Sequence, residues 1–423
     1  MARNMKDSGI EWIGEIPEGW EIVPVRSCFD EVRTKNTDGQ EQNALQFKSG
    51  NIISKTNFNA SMDDYVADTI TNYTVVLPDT VMINGLNLNY DFKSLRVALV
   101  KEKGVITSAY LAIFPDRKKI SPQYATYLFK GYETKMAFHN MGAGIRKTLG
   151  YKEFKNQPLL LPSEKEQNKI SAYLDSKCSH IDIMLSKIRS SIEEYKKLKQ
   201  AVITQAVTKG VRGEREMKDS GVEWIGAIPK DWDILNLVAH TSMLTPMRDR
   251  PENLDGPIPW IRIEDFDGKY ISSSKASLGV SKETVRSMNL KIYPVGTILC
   301  TSSCIMGKCA IVSRELVSNQ RFIGIIPDQN TCENFLYYLM LSNSERMNYL
   351  ATGALQANLS RSSFEHLKVQ FPSYQEQKEI SDYLDTKCAD IDKLIAKKEQ
   401  LVKELESYKK SLIYEVVTGK REV

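Results

Sequence analysis

Side chains that could catalyse a reaction directly are sparse in this sequence. Asp116, which follows Pro115, precedes Glu133 and Lys135, a set of residue types that magnesium-dependent nucleases use to hold the metal and the phosphate. The corresponding stretch after Asp328 has no lysine at that place. Because Glu133 and Lys135 fall on a predicted amphipathic helix, we expect both to be solvent-exposed charges rather than a metal site.

Cofactor motifs are missing from the chain. It contains no GxxxxGK phosphate loop, no GxGxxG loop and no Pro-Pro pair, which argues against a nucleotide hydrolase and a base methyltransferase. The four histidines are dispersed, and the seven cysteines form no CxxC pair, so we expect no bound metal and reduced thiols. We therefore expect no cofactor in this chain.

Several loops are instead suited to nucleic acid, because they place glycines beside amide and basic side chains. Asn and Gln can bond adenine edges and Arg and Lys guanine edges, while backbone amides can approach phosphate where a side chain is absent. The candidates are Asn84, Asn87, Asn89, Arg96, Arg146 and Lys147 in the first half, and Arg248, Arg250, Ser302, Ser303, Lys308, Gln356, Asn358 and Arg361 in the second. Each of them alone is also typical of a solvated turn.

Charge is unevenly distributed along the chain, although its net value is only +4. Residues 1–92 hold 7 basic and 14 acidic side chains, whereas residues 93–155 hold 13 basic and 4 acidic ones. A weaker form of the same polarity recurs in the second half. Each half therefore has its own candidate basic face.

The elements that must position these loops are duplicated at an offset of about 210 residues. MKDSGIEWIGEIPEGWEI at 5–22 matches MKDSGVEWIGAIPKDWDI at 217–234 in 13 of 18 positions. PSEKEQNKISAYLDSKCSHID at 162–182 matches PSYQEQKEISDYLDTKCADID at 372–392 in 13 of 21. The inserts between these blocks, 23–161 and 235–371, share little. The repeated blocks are therefore similar in sequence in the two halves, whereas the inserts between them differ.

The second repeated block begins a long helix in each half. Apolar residues recur from Ile170 to Val202 about every 3.6 residues, and a matching stripe runs from Ile380 to Val416. Each start resembles a capped helix N-terminus, and Gly210 and Gly419 suit the ends. Since each stripe needs a partner, we expect the two helices to pack antiparallel as an intramolecular coiled coil, about 68 Å long for some 45 residues.

Both inserts combine short strands and turns with one amphipathic helix, predicted over 122–136 and 332–350. The predicted fold class is therefore α+β, with two mixed α/β domains separated by the two long helices in a pseudo-two-fold repeat. We place the first domain at 1–161, the first helix at 162–212, the second domain at 213–371 and the second helix at 372–423.

This arrangement resembles the specificity subunit of Type I restriction-modification enzymes. The resemblance covers nearly the whole chain and is carried by the duplicated DSG-EWIG-IP head, the EQ pairs at 166–167 and 376–377, YLD at 173–175 and 383–385, and ITQAVTKG at 203–210. It implies two target recognition domains that each read one half of an asymmetric, bipartite sequence in double-stranded DNA. It also implies that the helices set the spacer and bind two modification subunits.

The same resemblance implies that this chain is not an enzyme. S-adenosylmethionine would be used by the modification (methyltransferase) subunits, and ATP and magnesium by two restriction subunits if these are present. Two alternatives remain at this point, namely a magnesium-dependent DNA nuclease that uses Asp116 and Glu133, and a coiled-coil scaffold without sequence preference. With no apolar run near the ~20 residues that span a bilayer, we expect no membrane association and a cytoplasmic location.

Overall fold

The computed structural model describes residues 3–48, 50–55, 70–92, 95–142, 147–247, 249–303, 306–351 and 359–423. The chain divides into two compact units. Unit 1 comprises residues 1–189 and 400–423, and unit 2 comprises residues 190–399.

Unit 1 contains twelve named strands and three short helices in its described part. The strands are β1 (Met5–Asp7), β2 (Glu15–Pro17), β3 (Glu21–Pro24), β4 (Phe29–Glu31), β5 (Leu45–Lys48), β6 (Asn51–Ser54), β7 (Thr74–Val76), β8 (Val81–Ile83), β9 (Val97–Leu99), β10 (Gly104–Ile106), β11 (Leu111–Pro115) and β12 (Pro158–Leu161). The helices are α1 (Pro122–Thr134), α2 (Ala137–Met141) and α3 (Tyr151–Phe154). The long helix α4 (Glu164–Lys209) begins here and continues into unit 2.

Unit 2 repeats this order of elements with a different insert. Its strands are β13 (Met217–Asp219), β14 (Ala227–Pro229), β15 (Asp233–Asn236), β16 (Thr241–Leu244), β17 (Ile258–Ile261), β18 (Tyr270–Ile271), β19 (Gly279–Val280), β20 (Ile298–Thr301), β21 (Cys309–Val312), β22 (Val317–Ser318), β23 (Phe322–Pro327) and β24 (Lys368–Phe371). Its helices are α5 (Lys282–Ser287), α6 (Glu333–Ser342), α7 (Ser344–Leu350) and α8 (Arg361–Glu365), and the long helix α9 (Tyr374–Val417) returns to unit 1.

A central sheet carries each insert, and its core order is the same in both units. Unit 1 has the antiparallel order β4-β11-β8-β9, and unit 2 has β16-β23-β20-β21, extended at the end by the parallel strand β18. In both units the connection between the last two antiparallel strands, β8–β9 or β20–β21, leaves the sheet at the same place. The inserts therefore share a scaffold that their sequences do not reveal.

The duplicated heads fold alike, residue for residue. β1 pairs with β2 in the register Met5↔Pro17, and β13 pairs with β14 in the register Met217↔Pro229. After each hairpin, β3 or β15 pairs antiparallel with the strand that leads into the long helix, β12 or β24. The chain thus enters and leaves each insert side by side.

The long helices pack antiparallel, as the sequence predicted. In unit 1 the Asp182 carboxylate accepts hydrogen bonds from Lys409 at 2.7 Å, and in unit 2 Asp392 accepts from Lys199 at 2.6 and 2.8 Å. The predicted stripe is buried at most positions. The remaining stripe positions are half-buried, except Leu198, which is 47% exposed.

Helix ends follow local capping rules. Ser163 and Ser373 each accept a hydrogen bond from the backbone three residues later, both at 3.4 Å. Gly210 and Gly419, just past the two C-termini, have left-handed φ values of 77° and 71°. The α+β fold class with two long helices is therefore confirmed.

The insert helices are shorter than predicted. α1 ends at Thr134 because Met136 adopts a left-handed conformation, and the predicted helix 332–350 is interrupted at Asn343, whose side chain donates to the carbonyl of Leu339. Within the described residues, no helix is both long and apolar enough to cross a membrane.

Candidate nucleic-acid interface

Two loops meet at one edge of each insert. The strand loop lies between the last two antiparallel strands and is described at 84–92 and 95–96 in unit 1 and at 302–303 and 306–308 in unit 2. The helix loop precedes α3 or α8 and is described at 142 and 147–150 in unit 1 and at 351 and 359–360 in unit 2. In unit 1 the amide of Leu149 donates to the carbonyl of Gly85 at 2.9 Å, and in unit 2 that of Leu359 donates to Ser302, also at 2.9 Å. We call each pair of loops the reading edge.

Glycine permits this close approach in unit 1. A Cβ atom at Gly85 would lie 2.4 Å from the carbonyl oxygen of Leu149. A second hydrogen bond, from the amide of Leu88 to the carbonyl of Lys147 at 3.2 Å, fastens the two loops. Most of the predicted DNA-contacting residues belong to these reading edges.

Arg96 corrects the sequence-based prediction, because it is buried and cannot present its guanidinium to DNA in this conformation. Only 1% of its surface is exposed. Its Nη1 donates to the carbonyls of Asn84 at 2.9 Å and Leu86 at 2.8 Å, and its Nη2 donates to that of Asp91. Charge-assisted hydrogen bonds from the buried guanidinium to three carbonyls stabilise the conformation of the strand loop. Arg96 is thus a scaffold for the loop.

Glu133 supports the same loop from α1, whereas the sequence predicted an exposed charge. Its carboxylate accepts a hydrogen bond from the backbone amide of Arg96 at 2.6 Å. Burial raises the pKa of Glu133 to about 7, and the hydrogen bond from Arg96 opposes that rise only in part. The residue therefore couples the end of α1 to the strand loop.

The remaining unit 1 candidates lie at or near the surface of the reading edge. Asn87 and Lys147 are exposed and have left-handed φ values of 53° and 40°. Asn84 and Asn89 are half-buried, and the Asn84 side chain accepts from the amide of Leu86 at 3.2 Å. Arg146 lies outside the described residues.

Two aromatic residues of the strand loop were missed by the sequence reasoning, which considered only amide, serine and basic side chains. Tyr90 is 74% exposed, and Phe92, at 56%, stacks on His139 with ring centroids 5.1 Å apart. Exposed aromatic rings can stack on bases or anchor a partner. The alternation of asparagine and aromatic residues from Asn87 to Phe92 was the available signal.

The unit 2 candidates are divided between the reading edge and a separate segment. Lys308 is exposed, Ser302 is half-buried, Ser303 is buried, and Arg361 is 54% exposed in its side chain and pairs with Glu365 at 2.7 Å. Gln356, Asn358 and Arg248 lie outside the described residues. Arg250 is exposed in the segment between β16 and β17.

The repeated EQ pair fixes each insert to its long helix. The Gln167 side chain accepts from the amide of Ser121, which caps α1, and donates to two carbonyls; Gln377 does the same at the start of α6. Glu166 accepts from the indole of Trp20 at 3.0 Å, and Glu376 accepts from that of Trp232 at 3.1 Å.

A repeated tyrosine–aspartate contact adds a second fastening. Tyr127 donates to Asp175 at 2.7 Å, and Tyr338 donates to Asp385 at 2.6 Å. These contacts explain why the glutamine and the YLD motif recur although the inserts differ.

The carboxylates of the nuclease alternative are kept apart. Asp116 lies before the N-terminus of α1, whereas Glu133 lies near its C-terminus, about 16 Å along the helix axis. Asp116 instead pairs with Lys119 at 3.2 Å. In the part of the chain that the structure describes, no cluster of three or more His, Cys, Asp or Glu residues could hold a metal ion.

Comparison with known sequences points in one direction. Residues 233–406 match the family model of the Type I restriction modification DNA specificity domain. The chain is 25% identical over 421 residues to the putative type I restriction enzyme MjaX specificity subunit of Methanocaldococcus jannaschii, covering 96% of this chain and 95% of that one. It is 34% identical over 181 residues, 41% of each chain, to the MjaIX specificity subunit of the same organism.

Solved structures share the fold. A chain described under the structural basis of complex assembly and conformational transition of the type I R-M system matches with a TM-score of 0.71 at 13% identity, over 96% of this chain and 99% of that chain. The HsdS subunit from Thermoanaerobacter tengcongensis matches with a TM-score of 0.51 at 14% identity, over 99% and 100%. The chain is therefore similar over nearly its whole length to Type I restriction enzyme specificity subunits, and its second half carries the DNA specificity domain of that family.

Proposed function

We propose that this chain is the DNA sequence-recognition subunit of a Type I restriction-modification complex, in which each reading edge reads one half of an asymmetric bipartite target. One observation carries the proposal. Both units build the edge from the same two loops joined by the same main-chain hydrogen bond, yet present different side chains there. The same loop backbone with different side chains suits two sites that bind the same kind of molecule, DNA, at two different base sequences.

The partners follow from the repeat. Surface features that recur in both halves suit a partner that binds twice, such as two modification subunits. On the long helices, Lys177 lies over the ring of Tyr173 at 5.8 Å, and Lys387 lies over that of Tyr383 at 5.9 Å. We assign this repeated pair to the modification-subunit contact, and two restriction subunits could complete the complex.

Catalysis is assigned to those partners. Specificity subunits are generally non-catalytic. In our proposal S-adenosylmethionine is used by the modification subunits, and ATP and magnesium are used by restriction subunits. The proposal gives this chain no cofactor and no metal.

The long helices are proposed to set the spacing between the half-sites. At about 1.5 Å per residue, the 46 residues of α4 span about 69 Å, which bounds the separation at roughly 20 base pairs of 3.4 Å each. Inserting four residues between Met184 and Ile192 should add about 6 Å, or roughly two base pairs. An unchanged target spacing would refute this use of the helices.

The decisive experiment maps methylated adenines in cells that express this chain with its modification subunits. We expect a bipartite motif with two different halves. Replacing residues 23–161 with the insert of another family member should change one half and leave the other intact. Methylation without any sequence preference would favour a scaffold, and DNA cleavage by the purified chain with magnesium alone would favour a nuclease.

A further inference from the structure

A stacked arginine lies beside the reading edge of unit 2. The guanidinium carbon of Arg346 lies 3.9 Å from the ring centroid of Trp224 and 4.9 Å from that of Tyr349. Both rings are accessible, because Trp224 is 42% exposed and Tyr349 is 79% exposed. Two aromatic faces therefore hold one cation in a fixed orientation at the surface.

Unlike the arginines of two similar stacks, Arg346 has no carboxylate partner in the part of the chain that the structure describes. Arg3 over Trp20 pairs with Glu166, and Arg215 over Trp232 pairs with Glu376 at 2.6 Å. Among the described residues, no carboxylate lies within ion-pair distance of Arg346, and its buried Nε has no hydrogen-bond partner. The buried Nε cannot reach an external anion, whereas the terminal guanidinium nitrogens, which form no ion pair with a described carboxylate, can donate to one.

The stack adjoins the strand loop. Gly307, in that loop, approaches α7 so closely that a Cβ atom there would lie 2.3 Å from the Cβ of Ser344, two residues before Arg346. The exposed Lys308 follows Gly307, and α7 leads directly into the helix loop. Arg346 therefore lies in the helix turn of α7 that contacts the strand loop, on a different face of the helix from Ser344.

Unit 1 keeps a cation at the equivalent place. Tyr127 and Tyr338 make the same contact to their long helices, and eight residues after each come Lys135 and Arg346. The Lys135 ammonium lies 4.5 Å from the ring centroid of Tyr414. Two dissimilar inserts thus share a cation stacked on an aromatic ring. Half-sites of different sequence share their phosphates, so a common cation suits the DNA backbone rather than the bases.

We propose that Arg346, positioned by Trp224 and Tyr349, is a sequence-independent anchor for a DNA phosphate beside the second half-site. This inference rests on the proposed DNA-reading function and deepens it. The planar guanidinium can donate two parallel hydrogen bonds to phosphate oxygens, and stacking reduces the conformational freedom lost on binding.

The test measures DNA affinity of the complete complex with its modification subunits as a function of salt. Two duplexes of equal length are used, one with the mapped target and one with that sequence scrambled. R346Q should weaken binding to both by the same factor, roughly fivefold to tenfold at 0.1 M salt, and should reduce the slope of log K against log salt by about 0.9. R286Q, which removes an exposed arginine on α5, is the matched control and should keep the wild-type slope.

Several outcomes would overturn the inference. These are a wild-type slope in R346Q, a loss confined to the target duplex, or poorer recovery of modification subunits with the slope intact, which would indicate protein docking. R346K retains the charge and should keep the slope, so it guards against a folding defect in R346Q; an equal loss in R346K would also contradict the anchor. If the wild-type complex bound both duplexes equally, the proposed function would fail, while the slope comparison would still decide the role of Arg346.

Discussion

Replacing Arg96 with methionine should loosen the strand loop of unit 1 without removing a direct DNA contact. Methionine fills much of the same buried volume but donates no hydrogen bond. The carbonyls of Asn84, Leu86 and Asp91 would then lose their common donor. Because the loop carries other candidate contacts, we expect reading of the first half-site to fail as a consequence of lost order.

The magnitude follows from the three hydrogen bonds. Each hydrogen bond from a charged donor contributes about 1.5–3 kcal/mol. Water can reach part of the opened loop and recover some of that loss, so we place the net effect at about 3–5 kcal/mol. Every 1.4 kcal/mol is a tenfold change in an opening equilibrium, so backbone amides in the loop should exchange hydrogen at least about 100-fold faster.

Hydrogen exchange read by mass spectrometry is the appropriate assay, with the peptide that covers 84–97 as reporter. The peptide that covers the unit 2 strand loop, 302–308, is an internal control and should exchange as in the wild type. If exchange of the first peptide were unchanged in R96M while DNA affinity fell, Arg96 would act by direct contact and the scaffold role would be wrong.

Three further variants test the surroundings of the reading edge. G85A should disorder the edge because its Cβ would meet the Leu149 carbonyl, whereas G19A, with open space around it, should melt like the wild type; equal melting of both would contradict the packing. Q167A should lower stability by about 2–3 kcal/mol and speed backbone hydrogen exchange in α1 only, and Q377A should do the same in α6 only. Faster exchange in both helices of either variant would show that the two glutamines do not act independently. Glu133 keeps its proton in the folded state up to its pKa of about 7, whereas the unfolded chain loses it near 4.5. The free energy of unfolding should therefore fall by up to about 3 kcal/mol as pH rises between these values. Chemical denaturation at pH 5 and pH 8 should show this fall in the wild type and not in E133Q.

Local sequence patterns were sufficient to predict the duplicated heads and the two long helices of this protein. The helix stripe, the capped starts and the duplicated heads depend on residues close together in sequence, where spacing alone determines which side chains share a face. Leu198 shows the limit, since it matches the period but is exposed, because periodicity does not report where a partner surface lies.

The reading edge depended on contacts between residues far apart in sequence. The insert sequences gave no sign that the two strand loops leave equivalent sheets, because sheet order is set by pairing between distant strands. Nor does residue type tell an arginine that binds DNA from one that supports a loop.

Arg96 and Lys308 illustrate this difference, since each directly precedes an equivalent strand, β9 or β21, yet one is buried beneath carbonyls and the other is exposed. Sequence by itself determined the repeat, the helices and the family resemblance. Tertiary structure alone decided which charged side chains are enclosed and which face solvent, because burial of a charge is permitted only where folding brings enough polar partners around it.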